Sequence, residues 1–251
     1  MVKNKLMLND SKTEILHLTS RFVATNELLP VRIGDTEVTS SSHVRDLGVI
    51  LDKNMTMSQH VSSICRNASF ALYNIGKLRA YLDQPSTEKL VHAFVSSRLD
   101  GCNSLLYGLP DCEVQRLQRV QNAAARLVTR VKGRASMDAI LRQLHWLPIR
   151  KRILFKILLL TFKAMHGLAP QYITDMLSIR TSNRHLRSST HAAPLLHRPL
   201  LKEIRTATYG DRAFSSAAPK AWNQLPPHIR AAPTVQCFMS RLKTHLFNLC
   251  V

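Results

Sequence analysis

Acidic side chains are the scarcest functional groups in this chain: 16 Asp and Glu stand against 35 Lys and Arg. The formal net charge of +19 excludes a surface built to repel polyanions. The five cysteines, at positions 65, 102, 112, 237 and 250, form no CxxC pair and lie far apart. That spacing, with an odd count, argues against a disulfide framework and for free thiols in a reducing compartment. Eleven histidines are present, yet no HxxxH pair or Cys/His cluster has metal-ligand spacing. No metal site is expected. The opening MVKNKLMLND lacks the basic-then-apolar layout of a secretion signal. The most apolar run, Ile153–Phe162, contains Lys156 and is too short to cross a bilayer, so it reads as a buried helix. These absences point to an intracellular protein, nuclear or cytoplasmic, without membrane attachment. No internal repeat of fixed period is found.

What is present is ample apolar residue, 45 % of 251, enough for a sizeable core and one or two domains. The charge is unevenly spread. Residues 1–56 hold seven basic and seven acidic residues, whereas 57–251 hold 28 against 9. Between Val114 and Thr206 alone there are 18 basic and 3 acidic residues. A field of that sign attracts polyanions, among which nucleic acid is the commonest large one and an acidic membrane surface the other carrier.

The organising stretch is Asp111 to Arg130, DCEVQRLQRVQNAAARLVTR. At about 100° per residue, Val114, Leu117, Val120, Ala124, Leu127 and Val128 share one arc, the apolar stripe of a core-facing helix. Arg116, Arg119, Arg126 and Arg130 share a different arc, a row of guanidinium groups available to something anionic.

Taken in order, Glu14–Thr19 reads as a strand, and Pro30–Val38 as a hairpin turning at Gly34-Asp35. His43–Leu51 reads as a further strand, with Gly48 at a bulge or close backbone approach. From Ser58 the apolar period switches to 3.6. Ser58 is expected to cap a helix running to about Tyr81, with Val61, Ile64, Cys65, Ala68, Leu72, Ile75 and Leu78 on one face. A second helix is expected from Glu88 to about Leu99, and a short one over Ser136–Leu144. His145-Trp-Leu-Pro reads as a corner leading into a helix over Ile149–His166, stopped by Gly167 with Pro170 beyond. On that helix Arg152, Lys156 and Lys163 form a second basic stripe. Residues 180–206 read as an exposed basic loop, and Gly210–Leu225 and Thr234–Leu249 as helices separated by prolines. Tyr107, Trp146 and Trp222 have the rings to stack on bases, but beside Leu and Pro they read as core or hinge residues.

Several strings, in consistent order, resemble the reverse transcriptase of LINE-type (non-LTR) retrotransposons, the chicken-repeat branch in particular. They are NKLMLNDSKTEIL at 4–16, VRDLGVILD at 44–52, SRLDGCNSLLYGLP at 97–110 and LQRVQNAAARLV at 117–128. They continue with LHWLPIRKRILFKILLLTFKAMHG at 144–167, LRSS at 186–189, YGDRAF at 209–214, PKAWNQLPPHIR at 219–230 and FMSRLKTHLF at 238–247. The chain departs from the family at Gly101, where the family carries a tyrosine before Cys-Asn; the departure removes one aromatic contact from this turn.

The resemblance implies a mainly α fold: a small antiparallel β remnant of a polymerase palm over 1–56, followed by a helical thumb-like domain over 57–180. A basic loop and C-terminal helical tail would occupy 181–251. It places Leu47-Gly48 at a primer-grip-like hairpin and Lys12 at the lysine that follows the catalytic segment. Polymerase chemistry needs carboxylates that hold two Mg²⁺ ions, which the full-length family enzyme supplies from an Asp-Asp pair upstream. This chain has no Asp-Asp dipeptide. A truncated product is therefore expected, inert by itself and without a cofactor, with Lys12 reduced to a surface residue. Arg116, Arg119, Arg126, Arg130, Arg152, Lys156 and Lys163 would track the phosphates of RNA or an RNA–DNA duplex, giving affinity without sequence preference. The rival expectations are a palm completed in trans by another polypeptide, a basic helical protein-interaction module, and a retroelement relic with no selected role.

Overall fold

The computed structural model describes residues 9, 12–19, 30–34, 36–131, 135–180, 194–197 and 209–249. The fold is mainly α, with a few short strands near the N-terminus. It divides into two compact units, Met1–Arg66 and Asn67–Val251.

Among the described residues the first unit holds three two-stranded ladders. Strands β2 (Val31–Ile33) and β3 (Thr36–Val38) pair antiparallel beyond Gly34, as the Gly-Asp signal implies. Strands β1 (Ile15–Leu16) and β4 (Ser40–Ser41) pair in parallel, so the sheet region is not wholly antiparallel as expected. The stretch that the local pattern reads as one strand over His43–Leu51 is a hairpin, β5 (His43–Asp46) against β6 (Val49–Asp52), turning at the Leu47-Gly48 pair where the family resemblance puts one. Its two turn residues, Leu47 (φ 45°) and Gly48 (φ 88°), both have left-handed backbones, the geometry that matches the twist of flanking strands. Gly48 therefore serves the turn; a Cβ there would meet nothing within 4 Å, which removes the bulge and close-approach readings.

Helix α1 spans Ser58–Leu78. Its cap is not Ser58, which is already helical; the Met57 carbonyl accepts the first helical bond, from Val61 N–H at 2.9 Å. The carboxylate of buried Asp52, at the end of β6, accepts from Met57 N–H at 2.8 Å, Thr56 N–H at 2.9 Å and Thr56 Oγ1 at 3.0 Å. An anion is thus seated where the helix presents its unpaired N–H groups. Along α1, Val61, Ile64, Ala68 and Ile75 are buried and Cys65 and Leu72 partly so, but Leu78 is exposed. Leu78 lies at the helix end and about 70° off the centre of the buried arc.

In the second unit α2 (Gln84–Val91) starts four residues earlier than expected, because Asp83 accepts from Ser86 N–H at 2.9 Å and Pro85 fits the first turn. It continues through a π-helical stretch, His92–Ser96, into α3 (Ser97–Asp100). Gly101 closes α3 with its N–H on the Ser97 carbonyl at 3.0 Å. Helix α4 (Asp111–Thr129) buries Val114, Leu117, Val120, Ala124 and Val128, with Leu127 half-buried. Helices α5 (Met137–Gln143) and α6 (Ile149–Met165) follow where the periodicity puts them, and a single turn, α7 (Gln171–Thr174), starts after Pro170. α6 is the hub, burying Ile153, Ile157, Leu158 and Phe162.

The tail belongs to this same core. Helices α8 (Phe214–Asn223), α9 (Pro227–Arg230) and α10 (Val235–Asn248) bring Trp222, Ile229, Phe238, Leu242 and Leu246 to Leu158 and Phe162. Phe162 stacks on Phe238 with centroids 4.3 Å apart. No boundary near residue 180 separates units, since the apolar faces of these helices close over α6. Within the expected loop over 180–206, Leu196 is buried in that core and bridges to Ile179. Asn223 holds Leu196 by both backbone groups, at 2.9 and 2.8 Å. The rest of that basic segment, 181–193 and 198–208, lies outside the described residues. Among the described residues no helix is long and apolar enough to cross a membrane.

Candidate nucleic-acid interface

The arginine row of α4 does not have one role. Arg116 pairs with Glu113 one turn earlier, at 2.8 Å. Arg119 and Arg126 are exposed and, among the described residues, engage no carboxylate. Arg130 turns away from the row. It ends the helix in the left-handed conformation (φ 57°) and donates to the Arg79 carbonyl at 2.8 Å and the Leu82 carbonyl at 3.4 Å. Arg79 answers in the opposite direction, donating to the carbonyls of Leu127 at 2.8 Å, Val128 at 2.9 Å and Leu82 at 2.7 Å. Two guanidinium forks thus satisfy carbonyls left over at a helix end and in the turn after α1. Burial first, and then the like charge of Arg130, lowers the pKa of Arg79. Arg130 is therefore a bracket, and the open row reduces to Arg119 and Arg126 with Arg116 at its edge.

The second stripe is divided in the same way. Arg152 grips Asp100 with both arms of its fork, Nε at 2.8 Å and Nη2 on the other oxygen. Lys156 is exposed and Lys163 half-buried. Arg152 and Lys156 line a groove of about 500 Å³ that also receives His92, Asn103, Trp146 and Lys243. Its acids are already engaged. Asp100 holds Arg152 and accepts from Asn103 Nδ2 at 3.3 Å, and Glu88 accepts from Trp146 Nε1 at 3.2 Å beside His92 Nε2 at 3.4 Å. The indole is also covered by the His92 ring, centroids 5.2 Å apart. The π-helical stretch places His92 here, and α10 brings the exposed Lys243. Two ammonium groups on a groove whose carboxylates are turned to Arg152, the Trp146 indole and His92 can hold an anion.

Sequence reasoning missed Lys243 because it lies on a helix whose packing against α6 only the tertiary structure reveals. Trp146 and Trp222 are buried, so neither indole offers a free face for stacking, and Tyr107 is half-buried against Ile157, Ala217 and Ala218. In the first unit Lys12 is exposed, and Leu47 and Gly48 form the exposed tip of the β5–β6 hairpin. Among the described residues no group of three or more His, Cys, Asp or Glu is placed to hold a metal ion, and Cys65, Cys102, Cys112 and Cys237 are in no disulfide.

No family model, no curated protein and no solved structure matches this chain.

Proposed function

We propose that this chain grips nucleic acid through phosphate contacts without reading sequence, as a thumb-and-tail unit of LINE-type reverse-transcriptase descent. The observation that carries the reading is the pair Arg119 and Arg126. They stand on the outer face of a helix whose only acids, Asp111 and Glu113, lie in its first turn and face Arg150 and Arg116. The +19 charge of the whole chain supplies the long-range attraction. The ordered strings that resemble the family support the ancestry, and they match its thumb and tail, so the role proposed for these residues is grip. Such a protein works where retroelement RNA and its DNA copy meet, in the cytoplasm or nucleus.

The test is a binding titration of an RNA–DNA hybrid at several salt concentrations. Each phosphate contact steepens the slope of log affinity against log salt by about 0.9. The wild type should show a clearly negative slope, and R119A/R126A should make it shallower by about 1.8. The loss should be alike for unrelated sequences. Absence of binding at low salt, or a slope that ignores the salt, refutes the proposal.

A further inference from the structure

On α1 the buried arc is set by Val61, Ile64, Ala68 and Ile75. At about 100° per residue, the opposite pole of the helix is occupied in its second half by Phe70, Tyr73 and Lys77, with Arg66 one turn before Phe70. The pole that ordinarily meets water with charged side chains therefore carries two aromatic rings one turn apart. They are open: Phe70 is 67 % exposed, Tyr73 61 %, and Tyr81, in the turn just past the helix, 88 %. One exposed ring needs no explanation, but adjacent rings on an outer pole do.

The charges around the rings say what would cover them. The Lys77 ammonium lies over the Tyr73 ring, 4.4 Å from its centroid. Arg130 is fixed on the carbonyls of Arg79 and Leu82, which flank Tyr81 in sequence. Helix α1 contains no Asp or Glu along its length. The nearest following acid, Asp83, is turned to Ser86 N–H as the cap of α2. The occupant that complements flat apolar faces interleaved with cations, in the absence of anions, is a polyanion that carries its own aromatic rings. That is single-stranded nucleic acid, whose unpaired bases stack on side-chain rings while its phosphates meet the cations. Double-stranded nucleic acid hides those base faces in its own stack.

We infer that Phe70 and Tyr73 form a stacking platform for unpaired bases, with Lys77 as its phosphate contact. The site is separate from the α4 row and selects single strands over duplex. The inference rests on the nucleic-acid reading above but makes a claim that can fail alone.

The experiment compares the full chain with F70A/Y73A and F70W/Y73W. Each is titrated by fluorescence anisotropy with a labelled thymidine homopolymer and with an RNA–DNA hybrid of equal length. Stacking is worth about 1–3 kcal/mol per base, so losing two rings should weaken homopolymer binding by at least tenfold. Hybrid binding should change less than twofold. F70W/Y73W should restore homopolymer affinity, because any base stacks on any ring. Unchanged homopolymer binding by F70A/Y73A, with the hybrid still bound, overturns this inference and leaves the grip standing. Failure of the wild type to bind either probe overturns both. Co-sedimentation with phosphatidylserine vesicles, or self-association by light scattering, that depends on the two rings while homopolymer binding does not, also overturns it.

Discussion

Arg79 is the residue whose removal most directly tests how the helices of the larger unit are joined. Its fork makes three charge-assisted hydrogen bonds, to Leu127, Val128 and Leu82. Bonds to a charged donor contribute about 1.5–3 kcal/mol each, which sets an upper bound of about 4–9 kcal/mol for R79A. Two effects reduce it. The side chain is only half-buried, so water can reach some of the vacated carbonyls. Its neighbour Arg130 repels it, and that repulsion disappears with the guanidinium. A net loss of about 2–4 kcal/mol remains. For a unit of this size each kcal/mol moves the midpoint about 2–4 °C, so helix melting followed by circular dichroism should fall by about 5–15 °C. R79K should recover less than half of the loss, because one ammonium cannot span three carbonyls in a fixed plane. R79A melting at the wild-type temperature would refute the bracket, and with it the account of why Arg130 is absent from the open row.

Two further outcomes concern the smaller unit. D52A removes the carboxylate that receives Met57 and Thr56, and should raise amide exchange over the first turn of α1 by about 2–3 kcal/mol of lost protection, with the β2–β3 hairpin unaffected. Acid should weaken this unit through His60, whose Nδ1 accepts from Ile50 N–H at 3.4 Å while its buried Nε2 has no partner. Burial, and then the charge of Arg45, holds the His60 pKa below its ordinary 6.5. The unfolded chain therefore takes up the proton first as pH falls below about 6.5, so His60 contributes its full stability above that pH and loses it below. H60N, which keeps an acceptor for Ile50 and does not titrate, should flatten the profile of unfolding against pH between about 7 and 5.

The parts of the fold that the sequence declared are those governed by local periodicity and punctuation. α4 and α6 each carry a 3.6-residue apolar stripe and start beside a proline, and α6 stops just before a left-handed glycine, Gly167. The β2–β3 turn was legible because Gly34 stands between alternating strands. The β5–β6 turn was legible only through the family resemblance, since a leucine at a left-handed position carries no turn signal and the apolar pattern runs through it. Helix α1 misled in a related way: its capping group is a strand residue upstream, and a serine at the first helical position imitates a cap. Leu196 sat unseen in a polar, basic segment because its partners, Ile179 and Asn223, are set by chain topology and not by neighbours in sequence. The candidate site suffered the same limit. Helical angles place the arginines on a common arc, but the carbonyls and carboxylates they meet come from other elements.

That limit changes how the charge should be interpreted. Arg79, Arg130 and Arg152 are engaged with backbone carbonyls or a carboxylate, and buried Arg230 donates to the Leu225 carbonyl at 3.2 Å. Arg79 and Arg152, half-buried, and Arg230, buried, need such partners, because leaving a guanidinium unpaired away from water costs several kcal/mol; Arg130 is exposed and acts as the link to the turn after α1. Substituting these four would weaken the proposed nucleic-acid binding whether or not any of them touched a phosphate, simply by loosening the helices that carry the others. Arg119, Arg126, Lys156 and Lys243 are exposed, and at these positions a charge can be removed without leaving an unpaired carbonyl or carboxylate. Binding lost at those positions with melting unchanged locates a surface; binding lost at the first four with melting lowered locates only the scaffold. The two sets therefore have to be compared in the same preparation, and a phosphate-gripping face is established only by the exposed set.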